Sequence, residues 1–340
     1  MTAAQALLAI LWISLTLYAL LAGADFGAGF WDLLAGNPHR GRPMRDLIEE
    51  VIGPVWEANH VWLIFVLVLL WTAFPPVFAS VMSTLYIPLT LAAIGIIGRG
   101  AAFAFRKAVT TLWQQRLFGG AFALSSILTP FFMGTVAGGI ASGRVPPGLA
   151  RGDIVTSWLN PTSFLGGVLA VGTCAYLAAM YLCHDAERLG QPDLAEAFRR
   201  RGLITGIVVG VVVIAGAGVL HADAPLLFQG LTHRALPLAI LSALAGIVSL
   251  GLLVARRYVL VRGSAALAVT AVLWGWAVAQ YPSMLPPDAD YRQVSAYRAV
   301  LDSTLVVVVI GALILVPSLI WMFVLFQRRE PAAPEGVVRP

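Results

Sequence analysis

Gly53-Pro54-Val55-Trp56-Glu57-Ala58-Asn59-His60-Val61-Trp62-Leu63 places an acid, an amide and an imidazole at the head of an apolar run that continues to Phe74. A run of that length is material for a membrane span, and ionisable groups inside one are expensive. Even forgiving scales assign about 2.5–3.5 kcal/mol to a charge at mid-helix. The rest of the chain agrees with the membrane reading. Its 340 residues are 59% hydrophobic and 11% charged, with a mean hydropathy of +0.85, whereas soluble domains carry about 25% charged residues. The net charge of +5 could suit nucleic acid. The basic residues, however, fall in short clusters between apolar runs, where they orient helices, and nucleic-acid binding is set aside.

Apolar runs of about 20 residues, enough to cross roughly 30 Å of hydrocarbon, occur nine times. Their expected spans are 5–26, 54–75, 77–98, 117–140, 162–184, 203–221, 235–255, 259–280 and 303–326. The fold class is therefore an all-α integral membrane protein of about nine transmembrane helices, expected as two four-helix bundles plus one peripheral helix. Residues 1–330 form a single polytopic domain and 331–340, with Pro331, Pro334 and Pro340, a disordered cytoplasmic tail. Met1-Thr2-Ala3-Ala4-Gln5 has no basic leader, so the first apolar run is read as a retained helix. Pro75-Pro76 is expected to fold the second and third spans into a tight hairpin, since proline cannot continue a helix ladder. With the N-terminus outside, 17 of the 22 Lys and Arg fall on the inner side and five on the outer. That asymmetry orients the chain N-terminus out and C-terminus in.

The outer loop from 281 to 302 is expected to lie at the interface as an amphipathic stretch through Tyr291, Val294, Tyr297 and Leu301. Trp274, Trp276 and Tyr281 would form a belt beside it. Cys174 and Cys183 stand on roughly opposite faces of one helix and act as apolar filler.

Topology places Asp25, Glu57, His60 and Arg99 in one leaflet, the inner one. Glu57 and His60 are i, i+3 neighbours, and with Asp25 on the adjoining helix they could pass protons inward from the cytoplasm. Arg99 has two readings: a snorkelling residue of the inner boundary, or the partner that keeps one carboxylate ionised. Asp25 and Glu57 could each equally be structural hydrogen-bond partners. Asp302 reads as an interfacial cap, and His221, Asp223 and His233 as solvated loop residues. A di-iron site would need two Glu-x-x-His copies and there is one. Haem held between His60 and His184 is a stronger rival, although Asp185-Ala186-Glu187-Arg188 reads as a helix end in water.

Gly23-Ala24-Asp25-Phe26-Gly27-Ala28-Gly29 together with the stretch from Gly53 to Leu63 resembles subunit II of the cytochrome bd quinol oxidases. Asn160-Pro161, Gly166-Gly167 and Tyr281-Pro282 resemble that family as well. The resemblance implies a haem-free subunit paired with a subunit I that carries the b- and d-type haems. Small single-helix accessory subunits would complete the complex. It would oxidise quinol and reduce oxygen to water, with protons taken from the cytoplasm of a bacterium across its inner membrane. Some members hold a structural quinone. The family's helix 1 acid maps to Asp25 and its helix 2 acid to Glu57. His60 joins them on the proton path, and Trp56, Asn59 and Arg99 support it. Four positions depart from the family pattern: Glu57-Ala58 stands for Asp-Gly, His60 for Gln or Glu, and Ala22 where an acid is frequent. A proton-coupled secondary transporter and a haem-binding membrane anchor are the alternatives.

Overall fold

The computed structural model describes residues 2–37, 39–108 and 111–327, with the side chains of 52–58, 106–108, 112, 115, 322, 323 and 325–327 outside the description. The expected tail at 331–340 lies outside the described residues. The chain is a succession of long helices with three short ones, α3, α8 and α11, at its turns. They are α1 (Ala3–Leu33), α2 (Arg42–Ala73), α3 (Pro75–Thr84), α4 (Tyr86–Ala108), α5 (Leu112–Ala141), α6 (Pro161–Arg188), α7 (Pro192–Asp223), α8 (Pro225–Thr232), α9 (Leu236–Val254) and α10 (Tyr258–Gln280). A small antiparallel hairpin follows, β1 (Ser283–Leu285) and β2 (Ala289–Asp290), then α11 (Tyr291–Val294) and α12 (Arg298–Gln327).

Among the described residues eight helices are long and apolar enough to cross a membrane, and nine if the bent pair of residues 59–73 and α3 is one span. α1, α4, α5 and α6 group together, and α6, α7, α9 and α10 form a second group of four, with α2 and α12 against α1. The two fours therefore share α6. That helix can be approached from several sides because small residues line it. Gly166 meets the Gly134 backbone of α5, and Ala175, Ala178 and Ala179 are buried; small faces let backbones close in where lipid offers no hydrophobic drive.

Several boundaries differ from the sequence expectation, and proline explains most of them. Proline stands in the first turn of α2, α3, α6, α7, α8 and α9, where its missing N–H is not needed and its φ suits a helix. Pro75-Pro76 accordingly does not make a tight hairpin. The break is at Phe74 (φ −135°, ψ 59°), and Pro75 opens α3, which turns by 118° before α4 starts at Tyr86. The third span thus begins at 86 rather than 77. Likewise α2 opens at Arg42, not at 54, and its backbone stays helical through Gly53-Pro54. The charged residues at 42–50 suggest a loop, but Met44, Leu47 and Ile48 are buried and pack on the core around α6, so the segment is an amphipathic first stretch of helix.

The expected amphipathic interface stretch at 281–302 is also corrected. Leu285, Ala289, Tyr291, Val294 and Leu301 are buried with Leu7, Phe74 and Val81, so the hairpin and α11 plug one end of the bundle. Tyr297 alone of that stripe is exposed. Trp276 turns inward, edge-on to Trp12 at 5.0 Å, and donates to Gln280 Oε1. The opposite end carries the charged ties: Arg45 to Asp32, Glu196 to Arg199, Arg200 and Arg256, and Asp185 to Arg188 and Arg262.

Candidate functional site

The site begins with two glycines. A Cβ at Gly27 would overlap the Cys174 carbonyl, so α1 lies directly on the α6 backbone there. A Cβ at Gly29 would overlap Ser126 Oγ and lie 2.7 Å from Arg99 Nη1. The glycine therefore leaves the volume that a guanidinium fills. Asp25, two residues before Gly27 and one turn before Gly29, is turned into the same space and is 2% exposed, as is Arg99 from α4.

Arg99 Nη2 donates to Asp25 Oδ1 at 2.5 Å and to the Asp25 carbonyl at 2.9 Å, while Nη1 donates to Ser126 Oγ. Ser126 Oγ in turn donates to the Phe122 carbonyl at 2.6 Å. The guanidinium also stacks over Phe122 and Phe26, 4.3 Å and 5.1 Å from the ring centroids. Asn59 of α2 completes the group, its Nδ2 donating to Asp25 Oδ2 at 3.2 Å. Four helices thus converge on one carboxylate. A lone ion here would be prohibitive, whereas a paired and hydrogen-bonded one is tolerated.

The snorkelling reading of Arg99 is overturned, since the side chain turns into the bundle and away from solvent. Removing it from the inner-side count leaves the charge asymmetry intact. The pairing is also incomplete. Among the described residues, Arg99 Nε and Asn59 Oδ1 are buried with no hydrogen-bond partner. Beside them is a cavity of about 10 Å³, lined by Tyr18, Asp25, Phe26, Asn59, His60, Leu63, Ile96 and Arg99.

Of the residues named from sequence, the fold therefore brings together Asp25, Asn59, His60 and Arg99. Trp56 and Glu57 lie on the helical backbone of α2, and their side chains are outside the described residues. His184 does not line the cavity beside His60; it sits near the end of α6, next to the Asp185 pairs with Arg188 and Arg262. Among the described residues no group of three or more His, Cys, Asp or Glu side chains could hold a metal ion.

Three participants were not evident in the sequence. Ser126 and Tyr18 are each one of several hydroxyls in apolar helices, a common occurrence with no distinguishing pattern. Asp32 follows Asp25 by seven residues, two turns along the same face of α1, and accepts an ion pair from Arg45 at 2.9 Å. That period was readable. Asp223, expected in a solvated loop, instead closes α7. It takes a two-pronged contact from Arg144 at 2.6 and 3.0 Å and accepts from Thr162 N and Oγ1. Asp302, expected as a cap, is exposed and 3.6 Å from Arg298 one turn earlier.

Comparison with known proteins agrees with this architecture. Residues 3–326 match the family model for cytochrome bd terminal oxidase subunit II. The cytochrome bd ubiquinol oxidase subunit 2 of Bacillus subtilis (strain 168) is 26% identical over 332 residues, covering 95% of this chain and 94% of its own. The cytochrome bd-I ubiquinol oxidase subunit 2 of Escherichia coli (strain K12) is 29% identical over 173 residues, which cover 48% of this chain and 44% of that one. In fold, the chain resembles one from the bd oxidase of Geobacillus thermodenitrificans, with a TM-score of 0.77, 21% identity and coverage of 97% and 100% of the two chains. This protein belongs to the cytochrome bd terminal oxidase subunit II family, and is a multi-pass membrane subunit of an oxidoreductase complex.

Proposed function

We propose that this chain is the haem-free subunit of a quinol-oxidising, oxygen-reducing complex in the bacterial cytoplasmic membrane, with its N-terminus outside and C-terminus inside. It docks against a haem-bearing subunit I, and its Asp25, Glu57 and His60 admit protons from the cytoplasmic side. Trp56, Asn59 and Arg99 support that path. The observation that carries the proposal is the buried Asp25–Asn59–Arg99 cluster with His60 on its cavity, set in a chain matched along its length by an oxidase subunit family. Quinol as reductant follows the names of the relatives.

Reduction of oxygen to water consumes protons inside a medium that excludes them. A membrane-buried titratable chain is the usual answer to that problem. Here Asp32 with Arg45 marks the charged end of the bundle, and Asp25 stands about 10 Å further in, at 1.5 Å per residue. The charge asymmetry of the loops assigns the Asp32 end to the cytoplasm. Glu57, three residues before His60 on α2, occupies the helical position between that end and the cavity. Haem, held by the partner, would supply the redox chemistry. The cavity beside His60 has room for about one water, which supports reading His60 as a proton-path residue and not as a haem ligand.

The test is Glu57→Gln in the assembled complex. Positioned proton carriers contribute about 10²–10⁴-fold, so quinol oxidase turnover is expected to fall by at least about tenfold with the haem spectrum intact. Unchanged turnover removes Glu57 from the path.

A further inference from the structure

We propose that the cavity between α8, the end of α10 and the β1–β2 hairpin binds the headgroup of an anionic, hydroxyl-bearing phospholipid, with Arg234 and Gln229 on its phosphate and His233 on a headgroup hydroxyl. The proposal is independent of the proton path. Its first support is size and place. The cavity measures about 390 Å³, within the range of roughly 300–1,000 Å³ usual for small-molecule sites. It sits where two apolar spans end, since α9 starts at Leu236 and α10 stops at Gln280. The ends of spans are the level at which headgroups meet a membrane protein.

The walls are held by close packing and by bonds that do not use the ligand groups. A Cβ at Gly230 would overlap the Ala279 backbone, so α8 lies directly on the last turn of α10. Gln280 is committed to the hairpin: its Nε2 donates to the Met284 carbonyl at 2.7 Å and its Oε1 accepts from Trp276. Arg234 is oriented by the backbone, with Nη1 donating to the Tyr281 carbonyl at 2.5 Å and Nη2 to the Ala279 carbonyl at 3.1 Å. Those two bonds leave three of the five guanidinium N–H donors. Arg144 and Arg298 each face an aspartate. Arg234 faces none among the described residues, and no carboxylate lines the cavity. A phosphodiester suits this fixed, uncompensated fork, and the Gln229 amide lines the same space.

His233 adds a different demand. Its Nδ1 lies 2.9 Å from the Gln229 carbonyl, which can only accept, so Nδ1 carries a proton and the neutral ring keeps Nε2 as an acceptor. A headgroup hydroxyl donates to that nitrogen, and a choline cannot. The third support is an apolar track beside the cavity. Leu226, which lines it, is 54% exposed, and Leu236, Ile240 and Leu244 are exposed at a spacing of four along one face of α9, starting two residues beyond Arg234. Acyl chains fill such a track; a water-soluble anion would leave it unused.

The experiment takes the whole complex in a neutral detergent and titrates it with phosphatidylglycerol, phosphatidylcholine or inorganic phosphate, counting retained molecules by native mass spectrometry. The unaltered complex is expected to retain one phosphatidylglycerol more than Arg234→Gln or Gln229→Glu, whose affinity at this site should be weaker by at least about tenfold. Gln229→Glu puts a negative charge at an exposed position and leaves the Arg234 ties intact, so it decides the matter if Arg234→Gln fails to assemble. Phosphatidylmethanol, anionic but without a hydroxyl, should bind the unaltered complex more weakly than phosphatidylglycerol does, and His233→Phe should abolish that preference. Equal retention of phosphatidylglycerol by the unaltered complex and Gln229→Glu overturns the proposal. Phosphatidylcholine retained as well as phosphatidylglycerol overturns the anionic headgroup. Inorganic phosphate bound at the Arg234-dependent site without any lipid overturns the lipid as its source. No preference over phosphatidylmethanol overturns the role of His233.

Discussion

Two arginine–aspartate pairs, Arg99 with Asp25 and Arg144 with Asp223, use the same chemistry to opposite ends. The second is a finished joint. Arg144 grips both Asp223 oxygens, and Thr162 adds its backbone N–H and hydroxyl to Oδ2. Because Thr162 lies in the first turn of α6, where Asn160 caps, the carboxylate also faces the positive end of that helix. The side chains keep 34% and 14% exposure, so water can still help. The first pair is buried to 2% on both sides, yet it leaves a guanidinium N–H and an amide oxygen without a protein partner beside a small cavity. A carboxylate with four hydrogen bonds holds the loop after α5 to the start of α6 and the end of α7. An unsaturated one deeper in the bundle keeps spare bonding capacity, which a proton carrier requires and a joint does not.

The contrast makes graded expectations. Arg99→Met is the most damaging, since it strands the Asp25 carboxylate in a low-dielectric site; roughly 3–5 kcal/mol is lost when one member of a buried pair is removed. Assembly of the complex, followed by its thermal unfolding in detergent, should fall sharply. The double variant Asp25→Leu with Arg99→Met should regain most of that stability without regaining turnover, which separates holding the helices from moving protons. Asp223→Asn comes next. It keeps the shape and the Thr162 contacts in part while weakening hydrogen bonds to a charged group, worth roughly 1.5–3 kcal/mol, and should lower thermal stability with oxidase turnover per assembled complex unchanged. If turnover falls with it, the pair is more than a joint. The smallest effect belongs to Glu196→Gln, at the fully charged end, where Arg199, Arg200 and Arg256 share one partly exposed carboxylate. Exposed pairs contribute little and are screened, so the unfolding temperature should move slightly at low salt and not at high salt.

The extent to which the site could be read in advance follows the same physics. Asp25, Asn59, His60 and Arg99 stood out because polar residues in apolar runs are rare and expensive. Their partners Ser126, Phe122 and Tyr18 did not, because a serine or an aromatic in a membrane helix is ordinary. Arg99 was legible as a residue but open between two roles: its place at the end of a run of about 20 apolar residues suits snorkelling, and only α1 and α5 packed beside it turn it inward to Asp25. Asp223 was misread for the complementary reason. It follows His221 in a stretch that looks like loop, and the arginine that claims it is 79 residues away in the chain.

Composition and the lengths of the apolar runs were enough to establish a multi-pass helical membrane protein with its basic residues gathered at one side, and the two short motifs were enough to suggest its family. Those properties are sums over neighbouring residues, and hydropathy is such a sum. The break at Phe74, the helical lead of α2 over 42–53 and the inward plug from 283 to 301 depended on contacts between distant segments. So did the one distinction that matters most for mechanism, between a carboxylate that accepts four hydrogen bonds and one whose two oxygens accept one each among the described residues. It is set by how closely Gly27 and Gly29 let α1 approach α6 and α5, and that is a property of packed helices rather than of any stretch of chain.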